Sequence, residues 1–195
     1  IIPGLIAIII MIVGAMLTAL VIAREFEAGT METIKSLPVS AGELLLGKAI
    51  PYFFITLANV LIAMLLGQVL FGITLKGSFW LMLAGTSLYL ICALSLGLLI
   101  STAAKSQLMA NQAAVMITYL PSLLLSNFVF PIINMPALLQ YFTYLVPARY
   151  YIDILAGVYL RSTGLSYLGH DMAVLGGMGT LMIVLNYILL KKEGL

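Results

Sequence analysis

Hydrophobic positions along this chain fall into five runs: residues 1–23, 49–71, 79–100, 108–130 and 172–190. A helix that crosses a bilayer needs roughly 20 apolar residues, so each run predicts one spanning helix. A sixth apolar stretch, 132–160, is interrupted by Pro136 and Pro147 and carries Arg149 and Asp153. Proline removes a helix hydrogen bond, so this stretch predicts two short helices rather than a span. Tyr141, Tyr144, Tyr150, Tyr151 and Tyr159 lie in it. Tyrosine favours the lipid–water boundary, so these helices are expected to lie in or dip into the outer interface.

Between the first two runs lies the one dense polar block of the N-terminal two thirds, residues 24–48. It holds three of the nine basic residues and four of the seven acidic ones. In 30–37, Met31, Ile34 and Leu37 share one helical face while Glu32 and Lys35 point elsewhere, which predicts a short amphipathic helix. Pro38 stops it. Ser40 and Glu43 then form a capping-box pair with Val39 and Leu44 at the staple positions, so a new helix starts at Ser40 and runs into the second span. A simple solvated loop between two spans would carry a similar charge content.

Composition agrees with the run pattern. The chain has 195 residues, is 63% hydrophobic and 8% charged, and has a mean hydropathy of +1.18. A soluble domain carries about 25% charged residues. A net charge of +2 is too small to suggest nucleic acid as a partner, and the single cysteine, Cys92, offers no disulfide or metal framework. The chain begins at Ile1, inside an apolar run with no basic segment before it, and is expected to be the C-terminal part of a longer protein. With five spans, Arg24, Lys35, Lys48, Lys105, Lys191 and Lys192 fall on one side, and Lys76, Arg149 and Arg161 on the other. The positive-inside rule makes the first side cytoplasmic, with the C-terminus inside.

The chemistry-bearing residues exclude more than they assign. Residues 42–48 match the first seven positions of a phosphate-binding loop, but Ala49 stands where a magnesium-binding hydroxyl belongs. No strand precedes it either, so nucleotide is expected on another chain. All seven carboxylates lie outside the spans, which argues against ion-coupled transport. There is no catalytic set, no metal site and no cofactor signature, and His170 reads as a solvated outer-loop residue. Asn111, Thr118, Ser122 and Ser126 form a polar stripe on the fourth run. It reads either as pathway lining or as interhelical packing, with packing favoured. Small residues at four-residue spacing, Ala93, Gly97 and Ser101 on the third run and Ala15, Ala19 and Ala23 on the first, mark faces of close helix approach. The spacing leaves open whether they pack within the subunit or across a dimer.

Several ordered pieces resemble the ABC-2-type transporter permeases, the membrane subunits of one class of ATP-driven exporters. They are Arg24-Glu25, Gly29-Thr30 and Glu32, then Pro38-Val39-Ser40, residues 43–48 and Pro51. The similarity continues in residues 97–102, in Phe130-Pro131-Ile132 with Met135-Pro136, and in Pro147-Ala148-Arg149-Tyr150. The resemblance implies an all-α, polytopic helical membrane protein in one transmembrane domain, with the family's first span missing from this fragment. It also implies a re-entrant outer segment, a second permease half, as homodimer or heterodimer, and a separate ATPase subunit. Arg24, Glu25, Glu27, Met31, Glu32, Ile34 and Leu37 are then expected to form the coupling element that docks on that ATPase. The expected function is outward movement of a hydrophobic or amphipathic substrate through a multi-pass protein of the cell membrane. An ion-coupled carrier or channel and a non-transporting membrane anchor are the competing readings.

Overall fold

The computed structural model describes residues 2–72, 76–127, 130–161 and 165–194. In chain order the helices are α1 (Ile2–Glu27), α2 (Thr30–Ser36), α3 (Ala41–Phe71), α4 (Phe79–Ala104), α5 (Gln107–Leu124), α6 (Ala137–Thr143), α7 (Pro147–Ala156) and α8 (Leu165–Lys192). A 3-10 turn at Ile132–Asn134 precedes α6, and a π-helical turn, Gly157–Arg161, follows α7. Helices account for the fold because the runs are apolar on all sides. Such helices satisfy their own backbone groups and gain stability by packing against one another and lipid.

Among the described residues four helices are long and apolar enough to cross a membrane: Gly4–Glu27, Ala41–Val69, Phe79–Ala104 and Tyr167–Lys192. The run at 108–130 takes a shorter form. α5 has 18 residues and stops at Leu124, three residues past Pro121. At 1.5 Å per residue it is about 27 Å long, close to the thickness of a bilayer core.

Cross-helix contacts fix the directions. Tyr89 donates to the Ala7 carbonyl (2.8 Å), Thr18 to the Leu94 carbonyl (3.0 Å), and Ser101 Oγ accepts from the Ile22 and Ala23 N–H groups (2.9 and 2.8 Å). These pairs advance together, so α1 and α4 run parallel. Asn186 donates to the Ser95 carbonyl (2.8 Å) and Cys92 to the Leu175 carbonyl (3.2 Å), so α8 is parallel to α4. Lys48 of α3 meets Glu25 at 2.6 Å, and the Gln107 side chain meets Glu27 at 2.9 Å. α3 and α5 therefore start beside the end of α1 and run back along it.

The α1–α4 seam explains the small residues. A Cβ built on Gly97 would lie 2.0 Å from Thr18 Oγ1 and 2.3 Å from the Ala15 carbonyl oxygen. Ala93, Gly97 and Ser101 thus pack within the subunit, against α1. Ala19 and Ala23, both fully buried, pack against Ala110 and Ala114 of α5.

The segment 131–161 folds as short helices, α6 and α7 with a 3-10 and a π-helical turn, and holds no continuous span. α7 is buried inside the bundle, not laid on its surface. Tyr151 stacks on Tyr89 at 4.1 Å and its hydroxyl is 2.9 Å from that of Thr86. Ile154 packs where Gly85 has no side chain, and Gly77 N–H donates to the Val158 carbonyl (2.8 Å). Tyr150, Tyr151 and Tyr159 are buried, while Tyr141 and Tyr144 near α6 are exposed. The physical reason is local: Gly85 lets Ile154 of α7 approach α4 closely, and the buried Tyr151 hydroxyl finds a polar partner. Arg149 turns to the Thr143 hydroxyl and lies over the Tyr144 ring at 4.3 Å. His170 also moves: α8 begins at Leu165, so it sits on an exposed helical face rather than in a loop.

Candidate functional site

The charged end of the bundle is built around α2. Two residues, 28 and 29, join it to α1, and four, 37–40, join it to α3. Gly29 makes the first turn possible with a φ of +73°, a left-handed conformation that a side chain would oppose. Pro38 follows the helix, and α3 restarts with a complete capping box. Ser40 Oγ accepts from Glu43 N–H (3.3 Å), and the Glu43 carboxylate accepts from Ser40 N–H (2.8 Å). Short connections and a complete cap hold α2 close to the ends of α1 and α3.

The structure divides the three expected docking anchors. Met31 is 1% exposed and sits among Val21, Ile22, Ala41, Leu45, Leu98 and Leu190. It fastens α2 to its own bundle and is not free to enter a partner. Ile34 is half-buried against the same cluster. Leu37 is 52% exposed and is the member of the three that faces outward.

The charged residues divide in the same way. Glu25 pairs with Lys48 (2.6 Å) and accepts from the Thr30 hydroxyl, which ties α1, α2 and α3 at one point. Glu27 accepts from both the backbone N–H (3.2 Å) and the side-chain amide (2.9 Å) of Gln107, where α5 begins. Glu32 is exposed and lies 3.5 Å from Lys35 on its own helix. Arg24 is exposed. Lys105, 5.2 Å from the centre of the Phe26 ring, pairs with Glu193 at 2.7 Å and so closes α4 against the end of α8. Glu25 and Glu27 are therefore internal fasteners, and Glu32 and Leu37 remain on the outer side of α2.

The polar stripe of α5 packs inward. Thr118, Ser122 and Ser126 are buried and continue the face begun by Ala110 and Ala114. Thr118 donates to the Ala114 carbonyl (2.6 Å). Asn111 is one position off that face and half-buried in a cleft at the charged end. The fasteners Lys48 and Gln107 were not visible as partners in the sequence. Their one signal is position: each stands at the foot of an apolar run, opposite the acidic end of the first.

Residues 1–188 match the family model described as ABC-2 family transporter protein. The chain belongs to this family. It is 43% identical over 160 residues to Probable multidrug ABC transporter permease YbhS of Escherichia coli strain K12, covering 82% of this chain and 42% of that protein. To Probable multidrug ABC transporter permease YbhR of the same strain it is 31% identical over 172 residues, 88% of this chain and 46% of that one. A more distant relative is ABC transporter G family member 20 of Dictyostelium discoideum, 21% identical over 165 residues, 85% of this chain and 22% of that protein. The chain thus spans less than half the length of these relatives. The family membership agrees with the all-helical fold and with the order of the sequence pieces quoted above.

Proposed function

We propose that this chain is the membrane-spanning permease part of an ATP-driven exporter, with ATP hydrolysed on a separate subunit that docks against α2. The observation that carries this reading is the mounting of α2. A family member presents a short charged helix, fastened by Met31 and by the Glu25–Lys48–Thr30 cluster, between two long apolar helices. A movement imposed on such a helix reaches α1 and α3 without loss in flexible linkers. Charge placement supports a cytoplasmic face for this end, and with it a cytoplasmic C-terminus in the inner membrane. A second permease half, identical or related, completes the transporter. The substrate is hydrophobic or amphipathic, in keeping with the multidrug designation of the E. coli relatives. Thr118, Ser122 and Ser126 act as packing contacts rather than pathway lining, since their face is buried against the bundle.

The docking surface is the outer side of α2 and its exit, with Leu37 as apolar anchor and Glu32 at the rim. The test is co-purification of the full-length permease with its ATPase, together with ATPase activity, for Leu37→Asp and Glu32→Gln. Leu37→Asp is expected to insert and fold normally but to lose the ATPase, because it places an unpaired charge in an apolar groove. Glu32→Gln is expected to change little, since a rim charge is screened by salt. If Leu37→Asp binds and stimulates the ATPase normally, α2 is not the docking element.

A further inference from the structure

At the charged end, α1, α3 and α5 enclose a cleft of about 540 Å³. This is within the roughly 300–1,000 Å³ usual for small-molecule sites. Met16, Leu17, Leu20 and Val21 of α1 give it an apolar part, and its polar part holds Arg24, Tyr52 and Asn111 together with the Glu25–Lys48 pair and Gln107. The two carboxylates near the polar part are engaged. Glu25 is held by Lys48 and Thr30, and Glu27 by the two N–H groups of Gln107. Among the described residues no carboxylate lies within ion-pairing distance of Arg24, and the Tyr52 hydroxyl and Asn111 amide make no hydrogen bond.

The polar part therefore offers a guanidinium that makes no close ion pair, though its charge also acts on Glu25, with a phenol and an amide that make no hydrogen bond within the protein, beside an apolar wall. The spacing extends the wall. Arg24, Leu20 and Leu17 recur at helical intervals on one face of α1, and Val13 and Ile9 continue it. Leu17, Val13 and Ile9 are all exposed, so an apolar track leads from the guanidinium along α1 away from the charged end.

We infer that this cleft binds an amphipathic acid, a carboxylate, sulfonate or phosphate group on an apolar body, with the acid at Arg24 and the body along Leu20 and Leu17. The planar guanidinium suits a two-oxygen anion, and its charge strengthens each hydrogen bond. The inference deepens the permease reading and rests on it for the ligand's role as cargo. The same chemistry has two sources: a free amphipathic acid, or the headgroup of an anionic lipid held at the membrane surface.

The experiment uses the full-length permease with its ATPase, reconstituted in phosphatidylcholine vesicles. The probe is dansyl-undecanoate, and its methyl ester is the uncharged control. Binding is read by dansyl fluorescence without nucleotide. The acid is expected to bind more tightly than the ester. Arg24→Gln should weaken the acid about tenfold or more and leave the ester unchanged. Arg24→Lys should bind the acid with an affinity between those of the unaltered protein and Arg24→Gln, since an ammonium keeps the charge but not the two-pronged grip, which separates the charge from any change in folding. Equal binding of acid and ester, or unchanged acid affinity in Arg24→Gln, would overturn the site.

Phosphatidylglycerol added to the vesicles assigns the source. Displacement of the probe that depends on Arg24 supports an acid site occupied by lipid. Probe binding that persists, with ATP-driven accumulation of the probe, supports an acid site occupied by cargo. Failure of the permease reading looks different: no ATPase co-purifies or ATP drives no transport, whatever the fluorescence reports.

Discussion

Gly97 is where a single hydrogen atom in place of a methyl group decides the packing of two helices. Its added Cβ would meet a backbone carbonyl and a hydroxyl that is already bonded to the Gly14 and Leu94 carbonyls. Neither neighbour can retreat without moving α1. Gly97→Ala is therefore expected to destabilise the bundle by about 1–3 kcal/mol, as overpacking does in a filled core. Gly177→Ala is the control, since nothing lies within 4 Å of its built Cβ. It should be neutral or stabilise by up to about 1 kcal/mol, the ordinary gain of alanine over glycine in a helix. Denaturation of both variants in one detergent checks the contrast, and equal midpoints would refute the close contact. The spacing of Ala93, Gly97 and Ser101 made a close face legible in the sequence. It did not name the partner, because small side chains report only that something comes near. The partner became visible through Thr18 and Tyr89, whose hydroxyls bond carbonyls on the neighbouring helix.

At the level of elements, α2 shows what an amphipathic pattern leaves unsaid. Its apolar face was readable from Met31, Ile34 and Leu37, and its stop from Pro38. The pattern does not say whether that face is covered by a partner or by the protein's own bundle, and here the bundle takes Met31 and part of Ile34. Met31→Ala is expected to cost about 2–5 kcal/mol, the range for truncating a buried methionine. Its effect should appear as increased protease cleavage within residues 28–40 and as loss of ATPase binding. Leu37→Asp, in contrast, should lose ATPase binding with protease resistance intact. If Met31→Ala leaves protease resistance unchanged, α2 is not seated as described. Ser40→Ala removes one half of the capping box and should destabilise the start of α3 by about 0.5–2 kcal/mol, read by hydrogen exchange at residues 41–45. α7 was the least legible element. The prolines, the tyrosines and the Arg149/Asp153 pair of this stretch read as short helices lying in or dipping into the interface, without saying what α7 packs against. In the fold Tyr151 finds Thr86, Tyr159 of the following turn finds Met82, and Ile154 fills the space that Gly85 of α4 leaves open.

For the whole molecule, orientation and crossing number are the properties on which the functional reading stands. α1, α4 and α8 run in one direction and α3 and α5 in the other, so Arg24, Lys35, Lys48, Lys105, Lys191 and Lys192 gather at one end. That gathering was legible in the sequence because charged residues are excluded from the runs. Arg149, in contrast, is a poor marker of the opposite side, because it is half-buried beside Thr143 and Tyr144. Lys76, next to Gly77 and the Val158 carbonyl, marks that side better. The check is labelling of single cysteines in intact cells by a membrane-impermeant maleimide. The background is Cys92→Ala, since Cys92 is buried in α4 and the described residues contain no other cysteine. A cysteine at 76 should label from outside, and cysteines at 105 and 192 only after permeabilisation. A cysteine at 134, exposed just beyond α5, decides whether α5 completes a crossing. Labelling of 134 from outside means that it does, and that the chain crosses five times. Labelling only from inside means that α5 turns back, which leaves α8 no outer starting point consistent with its direction alongside α4. Labelling of 105 in intact cells would put α2 outside the cell, out of reach of any ATPase, and would overturn the orientation and the docking mechanism together.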